Sequence, residues 1–237
     1  MPEVLARRLK PGYLPCTKNE FSGSESMDIQ RPQAERARTL HLYTQDRFDP
    51  EIEALRRSDF ELAAGTTRVR DAFDECSSYM LARVGDELVG TVRMTQPPGA
   101  LRGWLPDPGQ SALPQGPGVI EFTRGVVARR WRGLGIYQLL MCATVLHAGK
   151  TATVAIAAVE PFLHVRGFLH LLGFRECGRP LIFHDGPGCR TLAQCMELDL
   201  ATARSSAIPH MTSLKIRLQS KRIEVDSGDQ ATSAAFG

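Results

Sequence analysis

The stretch GVVARRWRGLGIYQLL, residues 125–140, decides how this chain is read. A β-branched run feeds a turn carrying Arg130, Arg132, Gly133 and Gly135, and an apolar helix starts at once with Ile136. Two glycines in such a turn let the backbone approach a ligand closely. The exposed N–H groups of a first helical turn attract an anion. The candidate binding residues are Arg130, Arg132, Gly133, Leu134, Gly135 and Ile136, and a pyrophosphate or a phosphopantetheine phosphate fits them. The string has neither the G-K-[ST] of a Walker loop nor the spacing of G-x-G-x-x-G. The alternative is a glycine-rich turn with solvated arginines.

Outward from this turn the pattern alternates. PEIEALRRSDFELA (50–63) predicts a helix, and SYMLARVGDELVGTVRMT (78–95) a hairpin turning at Gly85-Asp86. GVIEFTRGVVA (118–128) reads as a strand, and GIYQLLMCATVLHAGK (135–150) as an apolar helix stopped by Gly149. TATVAIAAVE (151–160) is a strand buried on both faces, and PFLHVRGFLHLLGF (161–174) a helix. Short strands near 180–184 and 193–200 close the core. The order predicts an α/β fold, a central mixed sheet flanked by helices, over residues 37–202. Residues 1–36 are expected to be a flexible leader and 203–237 a mostly flexible tail, in which SLKIRLQSKRIEV suits either a strand or a short helix. The Pro- and Gly-rich segment 96–118 is long for a connection. Its Leu101, Trp104 and Leu105 would either wall a binding pocket or pack on the sheet edge.

Composition excludes several classes. Of 237 residues 43% are hydrophobic and 23% charged, which suits a globular domain. A net charge of +3 is too balanced to argue for nucleic acid. No apolar run reaches the roughly 18 residues of a spanning helix. The N-terminus lacks the apolar core of a secretory signal, so a cytoplasmic location is expected. The six cysteines form no C-x-x-C pair, and no His/Cys spacing suggests a metal. They are read as reduced.

The R-x-x-G-x-G of 130–135 resembles the acyl-CoA-binding signature of the GCN5-related N-acetyltransferase (GNAT) superfamily, and LLGF (171–174) its second hallmark. Upstream, the chain resembles acyl-homoserine lactone synthases and the related long-chain N-acyl amino acid synthases. The matching residues are R-x-x-x-F (Arg56, Phe60), D-x-x-D (Asp71, Asp74), G-x-x-R (Gly90, Arg93) and E-x-[ST]-R (Glu121, Arg124). The resemblance implies a GNAT-like acyl-CoA N-acyltransferase fold. It also implies an acyl-phosphopantetheine (acyl carrier protein) or acyl-CoA co-substrate with no tightly bound cofactor, and an amino acid acceptor. Arg56, Phe60, Asp74, Arg93, Trp104 and Arg124 become candidate substrate-binding residues. Two departures matter. Residues 61–73 contain no Trp, unlike homoserine lactone synthases, which tilts the reading toward N-acyl amino acid synthesis. Leu169 stands where acetyltransferases often carry a Tyr acid.

The chemistry needs a base for the amine and a donor for the oxyanion. Glu121, in a mainly apolar strand, is the candidate base, or else half of an ion pair with Arg124 or Arg93. Backbone N–H groups near Val126 and Val127 are candidate oxyanion donors if the strand splays or bulges there. Arg129, Arg130 and Arg132 would meet an acyl carrier protein or a CoA phosphate, or be merely solvated. The rival readings are an acyl-homoserine lactone synthase using S-adenosylmethionine and a non-catalytic acyl-binding module.

Overall fold

The computed structural model describes residues 38–64, 69–97, 99, 101, 113–160, 163–178, 180–186 and 189–228. The chain runs β1 (Arg38–Gln45), α1 (Pro50–Ala64), β2 (Ser77–Val84), β3 (Glu87–Thr95), β4 (Val119–Val127), α2 (Ile136–Ala148) and β5 (Val154–Val159). It continues α3 (Leu163–Leu172), β6 (Arg175–Glu176), β7 (Leu181–Gly186), β8 (Cys189–Asp199), α4 (Leu200–Gln219) and β9 (Ile223–Asp226). Single 3-10 turns cover Ala72–Cys76 and Arg129–Trp131. The strands form one mixed sheet in the order β6-β8-β5-β4-β3-β2-β1-β9, with β7 on β8. Only β4/β5 and β1/β9 are parallel among the described pairs.

Local sequence explains the frame. Gly85 turns the β2–β3 hairpin at φ +57°, a conformation two-residue hairpin turns need. The helix α2 carries β4 over to its parallel neighbour β5, and it buries Ile136, Leu139 through Val145 and Ala148. Its inner side lies so close to the sheet that a Cβ on Gly90 would sit 2.7 Å from Leu140 Cδ1. A helix apolar all round needs cover on its outer side too. That cover is α4.

Residues 203–237, expected as a mostly flexible tail, are corrected here: the fold continues to at least Asp226. Leu200, Ala203, Ala207, Met211, Leu214 and Leu218 recur every three or four residues and are buried as one stripe. Asp199 caps the helix by accepting from the Ala201 and Thr202 amides at 2.9 and 3.2 Å. Both options for 213–225 are realised in succession, helix to Gln219 and then β9, which pairs in parallel with β1. β1 itself was not anticipated, although Leu40 and Leu42 alternate toward the core. Residues 1–36, and Trp104 and Leu105 of the long loop, lie outside the described residues. Leu101 is fully buried against Val119 and Ile156. No helix among the described residues is long and apolar enough to cross a membrane.

Leu218→Ala tests the corrected boundary. Deleting a fully buried leucine side chain costs about 2–5 kcal/mol, expected as a lower urea midpoint at unchanged slope. An unchanged midpoint would separate α4 from the core.

Candidate active site

The site begins where two parallel strands part. β4 and β5 pair only from Val119/Val154 to Phe122/Ala157. Beyond that, β4 stays with β3 as far as Val127, whereas β5 follows β8, with Ala158 opposite Cys195 and Val159 opposite Gln194. Between the pairs Arg93/Thr123 and Thr91/Val126, β3 has one residue and β4 has two, Arg124 and Gly125. This is a β-bulge, which bends its strand. Arg124 takes φ +55°, a left-handed conformation costing a non-glycine residue about 1–2 kcal/mol.

The gap is a cleft of about 710 Å³, lined by Phe122 to Val127, by Ala157 to Glu160, and by Phe168 and Leu169 of α3. Which of the expected donor amides face it follows from strand alternation. The Ala128 N–H donates to the Val89 carbonyl at 2.9 Å, so Ala128 faces β3 and the preceding amide, Val127, faces away, toward the cleft. Val126 faces β3 again. Of the two expected donors, only Val127 is therefore aimed at the gap. Tyr137, the second residue of α2, also lines the cleft, its ring so close to the bulge that a Cβ on Gly125 would come within 2.8 Å of it. Burial pushes the Tyr137 hydroxyl up to about 12.

The glycine turn closes one end. Gly133 (φ +75°) and Gly135 (φ +90°) both need the left-handed conformation, and Gly135 is the N-cap of α2. Gly133 has open space where a side chain would be; a Cβ on Gly135 would overlap the Arg217 guanidinium. Leu134 packs on the core, and Ile136 is buried. The arginines divide unexpectedly. Arg130 is bound to Glu87, with Nε donating at 2.8 Å, and its side chain lies outside the cleft lining. Arg132 lines the cleft but pairs with Asp59 and donates to the Val127 carbonyl at 3.1 Å. Arg129 is exposed.

An ionic cluster adjoins the cleft on the face that α1 covers. Arg56 donates to Asp74 at 2.8 Å, and Arg93 to Asp74 at 2.9 Å and Asp71 at 2.6 Å. Tyr79 donates to Asp74 at 2.9 Å, and Arg124 to Asp71 at 3.0 Å. Arg93 also donates to Thr123 at 3.0 Å, which ties the cluster to the cleft wall. Arg56, Asp74 and Arg93 are fully buried, so they hold the frame and are not themselves cleft surface; Arg124 is the member that lines the cleft. Phe60 lies one turn past Arg56 on α1, with its side chain outside the described set. Glu121 is fully buried and is not among the residues that line the cleft; its carboxylate accepts the Leu101 N–H at 3.0 Å. A Cβ on Gly99 would run into that carboxylate.

No family model matches the chain, and no curated protein sequence does. Solved structures match. BjaI, a CoA-dependent acyl-homoserine lactone synthase solved with MTA, aligns at TM-score 0.53 and 18% identity over 80% of this chain and 94% of its own. MesI, another CoA-dependent acyl-homoserine lactone synthase, aligns at 0.52 and 18% over 73% and 95%. LasI, an acyl-homoserine lactone synthase, aligns at 0.51 and 16% over 68% and 89%. This is the GNAT acyl-CoA N-acyltransferase fold. The likeness is one of fold, as identities of 16–18% imply.

Within the GNAT fold, the motif residues Arg56, Asp71, Asp74, Arg93 and Arg124 come together as one cluster, although they span four separate segments of sequence. Tyr137 and Arg217 were missed. The first sits inside the quoted motif string but was read only as helix; the second lies in the presumed tail.

Burial raises the Asp74 carboxyl. Arg56, the Asp71 amide and Arg93 outweigh that effect, so its net shift is downward. A depressed folded value means the contribution is complete above the ordinary carboxylate range, about pH 4, and is lost as pH falls through the folded value. Asp74→Asn, which strands the buried Arg56 guanidinium and leaves Arg93 with Asp71 alone, is expected to lose about 3–5 kcal/mol at neutral pH and to flatten the melting curve's acid-side decline. A wild-type-like melting temperature at pH 7 would remove the cluster from the frame.

Proposed function

We propose that this chain is an N-acyltransferase moving a long acyl chain from an acyl carrier protein or CoA thioester to the α-amine of an amino acid. The observation that carries the proposal is the cleft opened by the β4 bulge, with an anion-ready glycine turn at one end and a wall held by buried ions at the other. The donor's phosphate would rest on the turn, and its pantetheine arm would run between the parted strands. BjaI, solved also with SAM and isopentyl-CoA, supports a thioester donor.

In this reading the amine attacks the thioester carbonyl and the new oxyanion accepts the Val127 N–H. Arg124, on the cleft wall, would hold the acceptor's carboxylate. Glu121 is buried outside the cleft lining, so in this reading the amine's proton reaches it through a water. The C–N bond is formed in that attack; the oxyanion then collapses to the amide carbonyl and the C–S bond breaks, releasing the thiolate. Tyr137 retains its proton at neutral pH and supplies it to the departing thiolate, where Leu169 offers no acid.

A second reading is favoured by the fold neighbours themselves, since BjaI, MesI and LasI are all acyl-homoserine lactone synthases. The absence of a Trp in 61–73 weighs against it. Incubation with acyl-carrier protein or acyl-CoA, and either an amino acid pool or S-adenosylmethionine, separates the two by mass spectrometry. N-acyl amino acids are expected. Acyl-homoserine lactone would transfer the proposal to the second reading, and stable acyl binding with neither product would make this a non-catalytic module.

Glu121→Gln keeps an acceptor for the Leu101 N–H and removes the base. Turnover is expected to fall on the order of 10²–10⁴ with little change in melting temperature. Full turnover with a lowered melting point would instead assign Glu121 to structure.

A further inference from the structure

The two arginines of the turn that sequence assigns to phosphate are already neutralised, Arg130 by Glu87 and Arg132 by Asp59. A third guanidinium occupies the turn from elsewhere. Arg217, in the last turn of α4, reaches across α2 and donates to the Leu134 carbonyl at 3.3 Å and to Gln138 Oε1 at 3.4 Å. It lines the same cleft as Gly133 and Gly135. No carboxylate pairs with it among the described residues.

We propose that Arg217 is the donor-phosphate ligand of this protein, contributed by the C-terminal helix and not by the glycine motif. This rests on the proposed reading of the turn as the thioester donor's phosphate site. The two present hydrogen bonds are long and go to neutral acceptors. A phosphate on the turn would offer shorter, charge-assisted bonds to the same planar fork. The position of the guanidinium supports this, since it stands over the N-cap Gly135, where the first amides of α2 point outward. Leu214, one turn earlier on α4, packs against the same glycine, so the helix is held at the depth that brings Arg217 to the turn. The device makes α4 part of the binding site, and it separates the roles of two of the cleft's arginines, Arg132 and Arg217. Arg132 fixes β4 to α1 through Asp59, while Arg217 remains available to an anion.

The test compares three donors carrying the same acyl chain: acyl-CoA, acyl-phosphopantetheine, and acyl-pantetheine, which has no phosphate. The wild-type chain is expected to bind the two phosphorylated donors more tightly. Arg217→Gln keeps a donor for the Leu134 carbonyl while deleting the charge, and Arg217→Ala deletes both. Each should weaken the phosphorylated donors by about 10- to 100-fold and leave acyl-pantetheine unchanged. Equal weakening of all three donors, or a lowered melting temperature in both variants without donor discrimination, would make Arg217 a packing residue and overturn the proposal. A wild-type chain that binds acyl-CoA and acyl-pantetheine alike would defeat the phosphate-turn reading first, and the role of Arg217 with it. A wild type that prefers phosphorylated donors, with variants that keep the preference, would overturn the role of Arg217 alone.

Discussion

Two residues of β4 set against one of β3 determine what this molecule can do. The bulge at Arg124 and Gly125 turns β4 aside just where its pairing with β5 ends. A parallel pair that separates inside a sheet leaves backbone groups without ladder partners on the facing edges, and buried backbone groups need partners. One is answered within the protein, since Arg132 donates to the Val127 carbonyl. The Val127 amide beside it faces the same gap. A backbone donor facing the cleft therefore follows from strand geometry, before any side-chain chemistry is invoked. The strain of a left-handed arginine is met by the ion pair to Asp71, which connects the bulge to the buried cluster.

That cluster is better understood as a register device than as a source of stability. Burying ions costs several kcal/mol each, and well-packed apolar residues would often serve stability as well or better. What an apolar core would not do is hold three segments in one arrangement. Asp74 is contacted from α1 by Arg56, from β2 by Tyr79 and from β3 by Arg93. Thr123 and Arg124 then inherit their positions on the cleft wall from it. The buried Arg56 Nε and Nη2 and Arg93 Nη2 have no hydrogen-bond acceptor, so the arrangement is maintained at some energetic cost.

Much of this was legible beforehand, for reasons of range. The hairpin, β4, the glycine turn and α2 are local patterns, in which neighbouring residues carry the signal. The acid and arginine motifs were visible as spacings, yet that they meet around Asp74 was not, because ion partners lie 18 and 19 residues apart along the chain. Arg130 and Arg132 looked available for the same reason. Their acids, Glu87 and Asp59, are 43 and 73 residues distant. The bulge was open to suspicion only as a condition on Val126 and Val127, since nothing in TRGVV states which residue turns left-handed.

The missed helix was recoverable by a physical argument. α2 is apolar on every side, and a two-layer sandwich with one sheet would leave half of that surface in water. The six buried residues from Leu200 to Leu218 supply the missing layer at helical spacing. Ser, Thr and an internal Pro209 lower intrinsic helix propensity across this stretch, which is why composition suggested a tail. Tertiary burial overrides that weak preference. Once α2 must be covered, the covering helix runs over the N-terminus of α2, and whatever its last turn carries is presented to the glycine turn. That last turn carries Arg217. The same apolar surface that demands a third layer thus determines where a cation from late in the sequence meets the glycine turn.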